Sequence, residues 1–233
     1  MNAGLVDPGM NAGLPGAGVR AGLIGTGLVA GYRPGERVVD GLDVAVRPGE
    51  VLGVAGPSGC GKSTLVRVLA LLHRPSAGTL TLDGEPVTGA RYRAPRAQRT
   101  RIGVIFQQPR RAVDPRLTLR ELMLEPLRAT GRPLPDPDEL ADLVGLTDEL
   151  LTRRPHQVSE GQLQRACVAR ALVARPRYLL CDEMTAMLDA STTAALVGVV
   201  RDYARTTGAG VLTVSHDEPL LDVWADRTLH PWS

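Results

Sequence analysis

Two hydrophobic rhythms alternate along the chain. Val51-Leu52-Gly53-Val54-Ala55 is an unbroken apolar run that ends in a glycine-rich stretch. It predicts a short parallel strand buried on both faces. Directly after it, apolar residues at Leu65, Val68, Leu69 and Leu72 take up helical spacing and predict a helix over 62–72. The same succession returns later, with a strand at 101–106, a helix at 159–174, a strand at 178–181, a helix at 192–205 and a strand at 211–215. Alternation of this kind implies an α/β fold with a mainly parallel sheet covered on both faces. Ahead of it, 23–46 reads as short strands broken by turns, one at Arg33-Pro34-Gly35, and 78–82 as a strand running into an Asp83-Gly84 turn. Between about 110 and 158 the character changes. Prolines become frequent, helical patterns occupy 117–127 and 138–144, and Thr118 with Glu121 has capping-box spacing. This segment is expected to be a helical insertion. Residues 1–20, rich in Gly, Ala and Pro, are expected to be disordered, leaving 21–233 as one domain.

Composition narrows the picture. With 233 residues the chain suits a single α/β domain, and 43% hydrophobic with 22% charged residues is ordinary for a globular protein. A net charge of +2 gives no reason to expect a nucleic-acid partner. Cys60, Cys167 and Cys181 lack metal-site or disulfide-framework spacing, which suits a reducing cytosol. No apolar run reaches the roughly 18 residues of a membrane span, and the N-terminus does not read as a signal peptide. Any membrane association is therefore expected to come through a partner.

Among 27 basic residues Lys62 is the only lysine. It stands in Gly56-Pro57-Ser58-Gly59-Cys60-Gly61-Lys62-Ser63-Thr64, which matches the phosphate-loop pattern and lies between a predicted strand and a predicted helix. Glycines let successive N–H groups converge on phosphate oxygens, the helix N-terminus adds partial positive charge, Lys62 would neutralise the β- and γ-phosphates, and the Ser63 hydroxyl would ligate magnesium. A compact ammonium on a flexible stem suits that position where a planar guanidinium does not. Further on, the apolar strand Tyr178-Leu179-Leu180-Cys181 ends in Asp182 and Glu183. Asp182 could hold magnesium, and Glu183 could polarise a water for attack on the γ-phosphate. A pair of solvated charges capping a strand is the plainer alternative. His216 follows the last predicted strand and is a candidate phosphate sensor. Ser159 and Gln162 have capping-box spacing, which accounts for them structurally and also leaves a helix N-terminus open to an anion.

The order of these pieces resembles the nucleotide-binding domain of ATP-binding cassette (ABC) ATPases: phosphate loop, Gln107, Ser159-Glu160-Gly161-Gln162, Asp182-Glu183, Leu188-Asp189, His216. The resemblance covers residues from about 22 to 228. It implies a P-loop NTPase core with a mainly parallel sheet, a small antiparallel β subdomain and an inserted helical subdomain. It also implies hydrolysis of ATP with Mg2+. Tyr32 looks like the aromatic that stacks on adenine, and Gln107 like the glutamine that touches magnesium and marks the coupling region for a permease. Ser159, Gly161 and Gln162 resemble the signature that closes over ATP held by an opposite subunit, Asp189 the dimer-contact aspartate, and His216 the switch histidine. Implied partners are transmembrane permease subunits and a second ATPase subunit, identical or not, with a substrate-binding protein reached indirectly. The implied location is the cytoplasmic face of the cell membrane.

Phe106-Gln107-Gln108-Pro109, Asp114-Pro115-Arg116-Leu117-Thr118, Glu125-Pro126-Leu127 and Arg154-Pro155-His156-Gln157 are similar to the ATPases of dipeptide, oligopeptide and nickel importers. An ABC ATPase serving a non-transport enzyme complex, such as one that cleaves phosphonate C–P bonds, would carry similar segments. A nucleotide-gated module with little turnover is a third reading, motivated by Glu160 and Met184 in the family motifs. Three positions depart from the family pattern: Glu160 replaces a glycine, Met184 a proline and Met187 a small residue. Glu160 is expected to weaken phosphate contact, and both methionines to alter the dimer contact.

Overall fold

The computed structural model describes residues 21–33, 35–186 and 188–232. The expected disorder of 1–20, the centre of the turn at Pro34, and Met187 lie outside the described residues.

The chain opens with strands β1 (Leu23–Ala30) and β2 (Val39–Val46), followed by β3 (Val51–Ala55) and helix α1 (Lys62–Leu69). Strand β4 (Ala77–Leu82) and the two-residue β5 (Glu85–Pro86) form a hairpin. Its turn places Asp83 and Gly84 at φ 53° and 81°, as a tight two-residue connection requires. Next come α2 (Arg96–Arg99), β6 (Ile102–Ile105) and the short helix α3 (Pro109–Ala112). The helical segment continues with α4 (Leu119–Thr130), α5 (Pro137–Leu143) and α6 (Asp148–Leu151), and leads into α7 (Glu160–Val173). Strand β7 (Tyr178–Asp182), helix α8 (Ala190–Thr207), strand β8 (Gly210–Ser215), helix α9 (Glu218–Trp224) and strand β9 (Arg227–Leu229) complete the fold.

Two sheets result. The first is antiparallel, in the order β2-β1-β4-β5, and the second is parallel, in the order β6-β7-β8-β3-β9. Strands β3, β7 and β8 are buried at every residue. Side-chain alternation then divides each between two cores. Leu52, Val54, Leu180, Leu212 and Val214 face a cluster shared with Leu65 and Leu69 of α1 and Leu23 and Leu28 of β1. Val51, Leu179, Cys181 and Val211 face the other, with Leu122 of α4, Leu163 and Val168 of α7, Val200 of α8 and Trp224 of α9. The antiparallel sheet and α1 thus cover one face of the parallel sheet, and the helices α4, α7, α8 and α9 the other.

Local signals set the helix ends. Thr118 and Glu121 form the expected capping box at α4, and Ser159 and Gln162 form one at α7. Helix α1 is shorter than its apolar spacing predicts. Leu71 turns to φ 59°, and the N–H groups of Leu72 and His73 both donate to the Arg67 carbonyl, at 2.9 and 3.0 Å, which closes the helix. Leu72 consequently lies outside the core, 38% exposed. Helix α9 and strand β9 had no counterpart in the periodicity. Both are short, and β9 is an edge strand that pairs only with β3 and stays half-buried along its length.

Candidate functional site

Parallel pairing decides what meets at the sheet's carboxyl edge. Ala55 pairs with Ser215, Asp182 with Val214, and Ile105 with Cys181. The residues immediately beyond these strand ends are therefore neighbours: the phosphate loop after β3, His216 after β8, Glu183 after β7 and Gln107 after β6. Open α/β sheets present ligand sites at this edge.

The phosphate loop is held from both sides. Gly61, the N-cap of α1, has φ 122°, and a side chain there would come within 2.7 Å of the Val38 carbonyl. A Cβ on Gly56 would lie 2.8 Å from Cys60 Sγ and 2.9 Å from Trp232 Cε3. Lys62 is 4% exposed. Its ammonium donates to the carbonyls of Gly56 (2.7 Å) and Pro57 (2.8 Å) and pairs with Glu183 Oε1 at 3.1 Å.

Glu183 is the hub of the site. Besides Lys62, its carboxylate accepts from Gln107 Nε2 at 2.9 Å, and His216 Nδ1 lies 3.5 Å from Oε2. Its backbone sits at φ 45°, in the left-handed region that costs a non-glycine residue roughly 1–2 kcal/mol. The Glu183 N–H bond to the Val214 carbonyl, 3.1 Å, holds the backbone there. Asp182 faces elsewhere and accepts from the Ser63 hydroxyl at 2.9 Å. Burial raises its carboxyl above the usual range; the Ser63 hydrogen bond works against that shift and the nearby Glu183 charge adds to it.

Tyr32, Ser58, Gly59, Gly61, Lys62, Ser63, Thr64, Gln107 and Glu183 share one cleft of about 340 Å³. Ser63, Gln107 and Asp182 line an adjoining one. The Tyr32 ring is 55% exposed at the mouth, and its hydroxyl accepts from Arg67 Nη1 at 2.5 Å. Chemically, the cleft combines a cation, hydroxyls and a helix N-terminus that suit a polyphosphate. It also holds a carboxylate positioned to take a proton and a flat aromatic face at the mouth.

Nine-tenths of the chain superposes on solved cassettes. A dimeric post-hydrolysis structure of the ATP-binding cassette MJ0796 with ADP and Pi matches with a TM-score of 0.79 at 25% identity, covering 89% of this chain and 93% of the other. The cbiO1 protein of Clostridium perfringens, part of the ABC transporter complex cbiONQ, has the same fold, with a TM-score of 0.73 at 24% identity over 89% of this chain and 83% of the other. The sequence profile of the ABC transporter family matches residues 39–186. The chain belongs to the ABC transporter family. It is an ATP-binding and ATP-hydrolysing cassette. Among curated relatives, the nickel import ATP-binding protein NikE of Escherichia coli O6:K15:H31 is 35% identical over 83% of this chain and 74% of its own length. The oligopeptide transport ATP-binding protein OppF of Escherichia coli K12 is 36% identical over 83% and 60%. The methionine import ATP-binding protein MetN of Streptomyces avermitilis is 43% identical over 77% and 54%.

Other predicted positions lie outside the cleft. Ser159, Gly161 and Gln162 form the start of α7. Asp189 caps α8, where the Ser191 hydroxyl together with the Thr192 N–H and hydroxyl holds its carboxyl well below the usual range. Met184 is 3% exposed and packs in the helical core, and its carbonyl accepts from buried Gln164 at 3.0 Å. Periodicity and motif spacing did not single out Arg67 or Trp232, whose contacts with the site residues Tyr32 and Gly56 span more than 30 positions. Beside the cleft, a groove of about 620 Å³ runs between the sheet and the helical segment, lined by Leu71, Leu72, Tyr92, Phe106, Pro109 and Cys167 among others. Tyr92 is 93% exposed there.

Proposed function

We propose that this cassette powers an importer by binding ATP in the cleft, joining a second cassette head to tail, and hydrolysing the nucleotide with Glu183 as general base. The observation that carries this reading is the placement of the Glu183 carboxylate among Lys62, Gln107 and His216. Lys62 and the loop N–H groups bind the phosphates, Tyr32 stacks on the base, and Glu183 orients a water and takes its proton. His216 holds the carboxylate and senses the γ-phosphate. The hydroxyl of Ser63, the carboxylate of Asp182 and the amide oxygen of Gln107 are hard oxygen donors of the kind Mg2+ accepts while keeping several waters. These residues would hold it, and when bound it neutralises charge on the phosphates.

The start of α7 supports the two-cassette arrangement. A Cβ on Gly161 would meet only Leu188 Cδ2, at 3.5 Å, so packing within the chain does not require glycine there. The N-terminus of α7 at Ser159, Gly161 and Gln162, although closed by its own capping box, still carries the partial positive charge of a helix start, which suits the phosphates of ATP held by the opposite cassette. Asp189 lies exposed at the same contact. The apolar groove with Leu72 and Tyr92 at its lip suits a cytoplasmic helix of a permease. No helix of the described residues is long and apolar enough to cross a membrane, and the reading places the chain at the inner face of the membrane through that contact. The named importers of nickel, oligopeptides and methionine suggest a small solute delivered by a binding protein.

Glu183→Gln should bind ATP normally and lose at least a hundredfold in turnover. Unchanged turnover would remove Glu183 from its role. Affinity purification from the membrane fraction should recover a multi-span permease. Recovery of an enzyme complex from the soluble fraction would replace transport with the non-transport reading.

A further inference from the structure

Glu160 stands at the first position of α7, where a carboxylate would oppose an approaching triphosphate. The structure shows what that carboxylate does instead. Arg110, on α3 just beyond Gln107, donates through Nε to Glu160 Oε2 at 2.8 Å. Its two terminal nitrogens donate to the carbonyls of Pro155 (2.5 Å) and Val158 (2.8 Å). A single guanidinium thus bonds three acceptors within the six residues 155–160 that lead into α7, a task for a planar fork and not for an ammonium. The far end of α3 is tied to the same helix, since Arg170 Nη1 donates to the Ala112 carbonyl at 3.2 Å. Helix α3 is therefore bound to α7 at both ends.

We propose that Arg110 is a positioning residue for the hydrolytic reaction: it fixes the start of α7 to the Gln107 segment and keeps the Glu160 carboxylate turned away from the nucleotide of the opposite cassette. This rests on the head-to-tail reading above. An ordinary surface ion pair is the competing account. Both side chains are substantially exposed, 43% and 36%, so such a pair would contribute little to stability. A surface pair would also leave ATP dependence untouched.

The test uses the full chain in four forms: unaltered, Arg110→Ala, Glu160→Gly, and the double variant. Arg110→Lys is added as a control that keeps the charge without the fork. In steady-state turnover, Arg110→Ala should raise KM for ATP about tenfold with kcat changed less than threefold, because the freed carboxylate opposes closure. Glu160→Gly alone should stay within twofold of the unaltered chain. Added to Arg110→Ala, it should recover at least threefold, a coupling that independent sites would not show. Arg110→Lys should not restore KM. Binding of a fluorescent ATP analogue to the isolated cassette should be equal in all forms. An unchanged KM in Arg110→Ala, strictly additive effects, or full rescue by lysine would overturn the proposal. ATP-driven self-association in a Glu183→Gln background separates the two readings. Its absence in the otherwise unaltered chain, both alone and mixed with any second cassette recovered from the membrane fraction, sinks the head-to-tail arrangement and this inference with it. Equal association with and without Arg110 sinks the inference alone.

Discussion

Lys62 Nζ lies 3.1 Å from Glu183 Oε1, with the two side chains only 4% and 10% exposed. The ammonium that would meet phosphate and the carboxylate that would meet water therefore neutralise each other within the fold. Removing one member of a buried pair leaves an uncompensated charge, at a cost of about 3–5 kcal/mol. Lys62→Ala should lower stability by about that amount and abolish ATP binding. Adding Glu183→Gln should recover most of the stability and none of the binding. Urea unfolding of the single and double variants, with nucleotide titration, checks both halves.

Asp182 gives stability a pH signature. Burial raises its folded-state carboxyl above the unfolded value, so across that interval the folded chain holds a proton that the unfolded chain has released. The contribution of this group to stability then falls as pH rises through the window. Asp182→Asn lacks the ionisation, so it should be more stable than the unaltered chain at neutral pH, with the gap narrowing toward acid. Its Mg2+-dependent turnover should be lost. Thermal melts between pH 4 and 8 measure the first effect, and a difference that widens toward acid would contradict the assignment.

The three cysteines should react unequally. Burial pushes the Cys167 thiol up to about 12 and the Cys181 thiol higher still, so neither forms thiolate at pH 8. Cys60 is partly exposed in the phosphate loop. Brief alkylation of the folded chain should label Cys60 alone, ATP should slow it severalfold, and denaturation should expose the other two. Peptide mass spectrometry reads all three sites.

Trp232 packs its ring edge against Gly56, while Trp224 is 2% exposed in the helical core. Nucleotide binding should therefore alter emission from Trp232 and leave that of Trp224 unchanged, which Trp232→Phe would show by abolishing the response. Gly56→Ala forces a methyl into that contact. Overpacking of this kind costs about 1–3 kcal/mol, and the strain would fall on the loop itself, lowering ATP affinity by roughly tenfold. Fluorescence titration of both variants tests the pair.

Much of this protein is legible along the chain because its signals are local. The unbroken apolar runs of β3, β7 and β8 mark strands buried on both faces, and Thr118–Glu121 and Ser159–Gln162 mark helix starts, since a cap needs only its own turn. The phosphate loop is likewise complete within nine consecutive residues. Helix α1 shows where such reading stops: Leu72 keeps the helical spacing, yet the left-handed turn at Leu71 carries it out of the core.

The functional relationships belong to the tertiary structure. Parallel pairing of β3, β8, β7 and β6 brings Lys62, His216, Glu183 and Gln107 to one edge, although they are spread over more than 150 positions. Glu160, read alone, is a negative charge at a helix end that should bind phosphate. Its partner Arg110 is 50 residues away and meets it only once α3 lies along α7. The sequence states which groups the chain carries, because residue type and short-range spacing are written in it. Which charge faces which, and therefore which are free to meet a nucleotide, depends on contacts between distant segments that exist only after the strands have paired and both faces of the sheet are packed.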